Sequence, residues 1–115
     1  MEMYKFPWPP TINNYWAHIR GRVFLSKKGR IYRSEVIKQI LIQGRLKFTG
    51  NIKVSVKMYP PDNRKRDIDN PVKCLLDSMQ HGGLFDDDNQ IKKLDLEMMP
   101  EKGGFVEVYL TKLDD

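Results

Sequence analysis

The run Arg64-Lys65-Arg66-Asp67-Ile68-Asp69-Asn70 sets three cations directly before two carboxylates spaced i, i+2. In an extended backbone such side chains share a face. Two carboxylates held there repel each other unless a cation sits between them, so the pair suits a hard divalent ion, Mg²⁺ or Mn²⁺ in its place. The preceding cations suit phosphate oxygens. A second acidic cluster, Asp86-Asp87-Asp88, follows further along the chain. Three consecutive acids cannot all point into one site, so one or two of them are candidate ligands. Cations beside converging carboxylates suggest metal-dependent cleavage of a nucleic acid. The plain alternatives stay open: Asp67 and Asp69 as helix-start acids or turn formers, and Asp86 to Asp88 as a solvated loop.

Lys73 follows Asp69 by four residues and lies off the apolar stripe of its segment. There it can meet a scissile phosphate and stabilise developing charge, or form an i, i+4 surface pair with Asp77. Lys27, Lys28, Arg30 and Arg33 make a second basic group, again either phosphate-facing or simply solvated. His18 and His81 lack metal-ligand spacing. No Ser/His/Asp grouping, phosphate-binding glycine loop or dinucleotide fingerprint is present. Trp8, Tyr15, Trp16 and Phe85 can stack on bases or serve as core or interface residues.

Charge separates along the chain. Twenty Lys and Arg oppose fifteen Asp and Glu, for a net +5. Five of those acids sit in the two clusters, leaving ten against twenty cations elsewhere. A basic surface with acids gathered at one place points to a polyanionic partner. Cys74 is the only cysteine, which excludes an internal disulfide and a zinc cluster of paired cysteines. The first residues lack a basic-then-apolar leader, and no apolar run approaches the roughly 20 residues of a membrane helix. The expectation is a cytoplasmic protein with no membrane association, and nothing in the chain suggests a protein partner other than a second copy.

The 115 residues fit one domain, 1–115, of α+β class. Pro7-Trp8-Pro9-Pro10 is a rigid extended segment, and Asn13-Asn14 reads as a turn or backbone-binding loop. Short strands are expected at Arg22 to Leu25 and Arg30 to Tyr32. A helix is expected from an N-cap near Ser34, with Val36, Ile37, Ile40 and Leu41 as its stripe. Residues 52–59 alternate apolar and polar, a half-buried strand. Pro60 and Pro61 break it. Asn70-Pro71 reads as cap and first position of a second helix. Val72, Leu75, Leu76 and Met79 are its apolar face, and Gly82-Gly83 its end. Leu94 to Met98 and Val106 to Leu110 are expected strands around a turn at 100–104. The outcome is a mixed or antiparallel sheet with two main helices. At about 15 Å, the helix over 71–80 is short enough for a strand–helix–loop return to bring Asp88 near Asp67 and Asp69.

The ordered pieces Pro7-Trp8-Pro9-Pro10-x-x-Asn13-Asn14, Ser26-x-x-Gly29-x-x-Tyr32, Arg66-Asp67-Ile68-Asp69-Asn70-x-x-Lys73, Asp87-Asp88-x-Gln90 and Lys102-Gly103-Gly104 resemble the RusA-type Holliday junction resolvases, endodeoxyribonucleases of phage and prophage origin. The resemblance spans nearly the whole chain. It implies an α+β homodimer that cuts opposed strands of four-way junction DNA symmetrically. It also implies Mg²⁺ held by Asp67, Asp69 and Asp88, with Asp87 as acidic neighbour and further candidate, and Lys73 as the lysine needed for cleavage. Arg64, Lys65, Arg66, Lys27, Lys28, Arg30, Asn13 and Asn14 are the expected DNA contacts. The alternative of a different class is a non-catalytic, structure-selective DNA-binding protein whose acids are structural.

Overall fold

The computed structural model describes residues 1–44 and 46–113. Four strands form one mixed sheet: β1 (Glu2–Pro7), β4 (Ile52–Tyr59), β5 (Ile91–Met98) and β6 (Phe105–Lys112), ordered β1-β6-β4-β5. β6 pairs antiparallel with β1 and β4, whereas β4 and β5 run parallel. The expected alternation of 52–59 holds. Ile52, Val54, Val56 and Met58 are fully buried and face Val106, Val108 and Leu110 of the neighbouring strand in the core. Each such aliphatic side chain contributes about 1.5–3 kcal/mol through burial. The opposite face carries Lys53, Ser55, Lys57 and Glu107, with Lys53 paired to Asp95 at 3.2 Å.

Three helices complete the fold: a four-residue α1 (Ile12–Tyr15), a long α2 (Lys27–Gln43) and α3 (Val72–His81). α2 packs on β1 and α3. Two strands, β2 (Trp16–Ile19) and β3 (Arg22–Leu25), form a separate antiparallel ribbon outside the main sheet. Among the described residues no helix is long and apolar enough to cross a membrane.

The structure departs from the sequence pattern mainly around α2. Arg30, Ile31 and Tyr32 are helical rather than a strand, and the N-cap is Ser26 rather than Ser34. The Ser26 hydroxyl oxygen accepts the Gly29 amide at 2.9 Å while its O–H reaches the carbonyls of Asn14 and Tyr15. The helix buries Gly29, Tyr32, Val36 and Ile40, so the core stripe begins a turn earlier than the aliphatic run suggests; Leu41 lies in solvent. Asn13 and Asn14 belong to α1, not to an open loop. Phe85, a candidate stacking or interface residue by sequence, is core; so is Tyr15, while Trp8 and Trp16 pack partly buried against it.

Gly29 is required by close approach. A Cβ there would overlap the carbonyl oxygen of Tyr15 and press on the Leu25 methyl at 3.1 Å. Gly29→Ala is therefore expected to lose about 1–3 kcal/mol despite the better helix propensity of alanine. Urea unfolding measures this, and an unchanged or raised midpoint would show that α2 and the α1 carbonyl do not pack as described.

Candidate active site

The acid pair sits in the loop 60–71 between β4 and α3. Tyr59 ends β4, and Pro60 stops the ladder because it offers no amide. Asp62 then organises the loop. Its carboxylate accepts the Arg64 amide at 2.9 Å and meets Arg66 Nη2 at 2.7 Å. These contacts, the Arg64 amide first, hold the Asp62 carboxyl below its ordinary range. Arg66 Nη1 also donates to the carbonyls of Asp62 and Arg64, and its guanidinium lies 5.5 Å from the Trp8 ring centre. Arg66 is thus largely committed to shaping the loop. Lys65 and the side chain of Arg64 project outward.

Asp67 and Asp69 emerge from this braced loop into solvent. Among the described residues neither carboxylate takes a hydrogen bond or ion pair. Both line a cavity of about 500 Å³ with Asn70, Lys73, Leu76 and Leu94. Asn70 does not cap α3 as its position before Pro71 suggests. Pro71 holds the N-cap position without a side-chain bond, and Asn70 Oδ1 instead accepts the Ile12 amide at 3.0 Å. The side chain therefore satisfies a free donor at the start of α1 and ties that helix to the acidic loop.

Lys73 is exposed on the first turn of α3. The surface pair with Asp77 does not form. Asp77 is engaged by Arg33 Nη2 at 2.6 Å, by the Tyr15 hydroxyl and, at 3.7 Å, by His81. Burial, then the Asp77 carboxylate, pushes the Tyr15 hydroxyl up. Burial opposes the charge of Arg33, but Asp77 and Tyr15 more than offset it and hold its pKa up. Cys74, next to Lys73, is buried, and burial followed by nearby Asp77 pushes its thiol up to about 12. It is not a nucleophile at neutral pH.

Asp88 stands apart from the pair. It opens a 3₁₀ turn, Asp88–Gln90, that leads into β5. Because β5 is parallel to β4, Ile91 is level with Ile52, at the end of β4 opposite the exit of the 60–71 loop. Asp88 is not among the residues lining the Asp67–Asp69 cavity. Among the described residues no group of three His, Cys, Asp or Glu is close enough to hold an ion. Asp87 is a cap: its carboxylate accepts the Asn89 amide at 3.0 Å and Gln90 Oε1 accepts the Asp86 and Asp87 amides. The Asn89 amide first, then contact with Asp88, lowers the Asp87 carboxyl. Gln90 Nε2 also bonds the carbonyls of Phe48 and Gly50, fastening the turn to the strand-side loop. The Asp87-x-x-Gln90 spacing is a capping-box signature, and that signal was open to sequence reading. Asp86 pairs with Lys47 at 2.6 Å in solvent.

The basic residues converge from separate segments. Asn14, Lys28, Arg64, Lys65 and Trp8 line a cavity of about 680 Å³. A smaller one, of about 230 Å³, shares Trp8, Lys65 and Arg66 with it and contains Asp67 and Asn70. Those last two also line the acid-pair cavity. The three cavities adjoin through these shared residues and form a trough-like row from a basic, aromatic mouth to Asp67, Asp69 and Lys73. Lys27 and Lys28 lie exposed on the first turn of α2, where the helix dipole already favours an anion. Asn13 is exposed on α1, and Arg30 Nη1 donates to the Leu25 carbonyl at 3.0 Å.

The sequence of residues 7–111 matches the family model described as endodeoxyribonuclease RusA. The chain belongs to the RusA family. It is 35% identical over 111 residues to the crossover junction endodeoxyribonuclease of Enterobacteria phage 82, covering 93% of this chain and 91% of that protein. The same identity and coverage hold for the crossover junction endodeoxyribonuclease of Escherichia coli strain K12. For that of Enterobacteria phage HK97 the identity is 34% over 119 residues, covering 99% and 98%. Within this RusA-family domain the trough and its acid pair are the natural candidate for the nuclease centre.

The brace on the loop has a pH signature. The folded Asp62 carboxyl lies below its unfolded value of about 3.9, so its stabilisation is complete above that value and is lost as pH falls through the lower, folded pKa. The Arg64 amide resonance should report a titration below pH ~3.9, absent in Asp62→Asn. A transition at or above the unfolded value would mean that Asp62 does not hold the loop.

Proposed function

We propose that this RusA-family protein is a divalent-metal-dependent endodeoxyribonuclease that resolves four-way junctions by paired, symmetric phosphodiester cuts. The observation that carries the reading is the pair Asp67–Asp69: two exposed carboxylates without protein partners, on a braced loop beside Lys73, at the end of a basic trough. Like-charged groups held together in this way await a cation from outside the chain. The oxygen donors fit Mg²⁺, which is commonly held by one or two carboxylates plus substrate phosphate; Mn²⁺ suits the same ligands. When bound, such an ion polarises the phosphate and lowers the pKa of water.

The chain's own residues then have distinct tasks. Asp67 and Asp69 supply negative oxygen ligands; Asp88, set apart from them at the other end of β4 within one chain, is proposed as a third ligand on family likeness alone. Lys73, uncommitted to Asp77, is free to meet the negative charge that grows on the phosphate. Lys27, Lys28, Arg64 and Lys65 hold the flanking backbone, with Arg30, Asn13 and Asn14 beside them, while Arg66 keeps the loop in shape. Hydrolysis forms a bond from water oxygen to phosphorus and breaks one ester bond. The trough decides which ester is presented. Acting on DNA, the protein is proposed to work in the cytoplasm.

The rival reading, a non-catalytic junction binder with structural acids, is favoured by Asp87, whose carboxylate is a cap. It does not account for Asp67 and Asp69, which cap and pair with nothing described. A labelled synthetic junction, with and without Mg²⁺ or Mn²⁺, decides between them. Cleavage should require the ion. Asp67→Asn, Asp69→Asn and Asp88→Asn should nearly abolish it while junction binding survives. Lys73→Ala should lose about 10²–10³ in rate with metal affinity and fold retained. Full cleavage by any two of the aspartate variants refutes the ligand assignment, and a parent rate in Lys73→Ala leaves that residue a surface lysine.

Two opposed cuts need two sites, whereas one small domain offers one acid pair, so the active form is proposed to be a two-fold homodimer. Sedimentation at micromolar concentration should give a dimer both free and junction-bound. A monomer in both states that still makes paired cuts would favour sequential cutting by independent chains.

A further inference from the structure

Among the described residues the β2–β3 ribbon stands outside the main sheet and lines none of the cavities around the acid pair, and only its root meets the core. Its construction is stiff. Arg20 and Gly21 both adopt positive φ, 51° and 75°, as a two-residue hairpin turn matched to strand twist requires. Its root is fixed. Trp16 and Leu25 pack against the core, and the Trp16 ring meets Tyr15 edge-on at 5.1 Å. The Ser26 amide donates to the Tyr15 carbonyl, and Arg30 donates to the Leu25 carbonyl, both at 3.0 Å.

The projecting part is unlike an ordinary solvated hairpin. Cross-strand register places Ala17 opposite Phe24 and Ile19 opposite Arg22, so these four share the face turned away from Trp16 and Leu25. On this face Phe24 is 41% exposed and Ile19 56%. A two-stranded ribbon has little stability of its own, and here its outer face carries exposed Phe24 and Ile19 beside Arg22. Its charges are of one sign. Residues 3–34 contain no Asp or Glu but seven Lys and Arg, among them Arg20 and Arg22 at the tip. Neither tip arginine has a protein partner among the described residues. A second copy of the ribbon would bring the same positive charges against these, whereas a polyanion complements them.

We propose that the β2–β3 ribbon is a nucleic-acid-inserting arm: Arg20 and Arg22 hold phosphates while Phe24 and Ile19 cover base faces exposed at the branch point of a junction. The inference rests on the junction reading above and adds its structural selectivity. A linear duplex has stacked, covered bases along its length. The centre of a four-way junction offers base-pair faces that apolar side chains can cover, as wedges do when they unstack a step. Phosphate contacts bind both forms. The apolar contact therefore distinguishes them.

The test measures binding in EDTA to a synthetic four-way junction carrying 2-aminopurine at the branch point, and to a linear duplex of the same arm sequence. The parent should change the probe's fluorescence on binding the junction. Ile19→Ala/Phe24→Ala should lose about 5- to 100-fold in junction affinity, with duplex affinity within twofold and the fluorescence change abolished. Arg20→Asn/Arg22→Gln, which keeps a residue tolerant of positive φ at the turn, should lower the salt slope by about 1–2 on both DNAs. Thermal unfolding of each variant guards against misfolding. Parent-like junction affinity in the apolar variant, an equal loss on duplex and junction, or a loss that tracks dissociation of a dimer in sedimentation would each overturn the proposal. Parent cleavage of the unlabelled junction with Mg²⁺ is scored separately. A parent that cuts while the apolar variant binds normally refutes the arm and leaves the nuclease reading standing.

Discussion

The Asp77 carboxylate is the joint on which the helical layer depends. It sits on α3, and three side chains from other turns converge on it: Arg33 of α2, Tyr15 of α1 and His81 of its own helix. Ser78 adds a contact to the Tyr15 hydroxyl at 3.2 Å. Apolar packing alone lets helices slide by part of a turn at little cost, because it is non-directional. A charge-assisted bond at 2.6 Å permits no such slide. Removing one partner would leave a half-buried charge without its counterpart, at about 1–3 kcal/mol, and would free the relative height of α2 and α3.

That height matters because α3 carries at its start the residues proposed for the chemistry. Lys73 lies one turn before Asp77, and Asp69 immediately before the helix begins. Fixing Asp77 therefore fixes Lys73 relative to the acid pair. The same knot keeps Asp77 from Lys73. A carboxylate saturated by Arg33 and Tyr15 has no need of a lysine one turn away, so that ammonium stays available. Asn70 closes the arrangement from the other side through Ile12, and Arg66 does so through Asp62 and Trp8. Around two unpartnered carboxylates Asn70 and Arg66 are thus engaged elsewhere, and Lys73 is the neighbour left uncommitted.

Strands β4, β5 and β6 and helix α3 were legible because each carries one period cleanly, whereas β1 and β2 were not read from the sequence. In 52–59 apolar residues alternate without a fault, and in 72–79 they recur at helical spacing. The acid pair was legible for the same local reason: i, i+2 carboxylates behind three cations form a short-range pattern. The start of α2 was not. Arg30-Ile31-Tyr32 has the β-branched and aromatic character of a strand, and Gly29 stands in the first turn where propensity disfavours it. What decides for helix is tertiary: Ser26 caps it, and the absent side chain of Gly29 lets the Tyr15 carbonyl approach. Asn70 misleads in a similar way, since a capping residue beside a proline caps a helix distant in sequence. The separation of Asp88 from Asp67 and Asp69 follows from strand direction. Only the parallel pairing of β4 and β5 puts the start of β5 at the far end of β4.

Electrostatics gives the layout its sense. Residues 3–34 are wholly cationic where charged, and they build α1, the ribbon and the first turn of α2 on one flank of the trough. Apart from Glu2, the acids lie later in the chain, from Glu35 onward. Had they been interspersed, surface ion pairs worth only about 0–1 kcal/mol each would have occupied the same cations and reduced the field seen by a polyanion. Keeping the signs apart leaves self-repulsion in the free protein, which lowers its stability. A bound phosphate backbone relieves that repulsion on the basic flank, and a cation relieves it at Asp67 and Asp69. Under the proposed function the two reliefs would be coupled, because the basic cavities adjoin the acid pair. Substrate and metal would then strengthen each other's binding, the acid pair being most completely neutralised with a phosphodiester beside it.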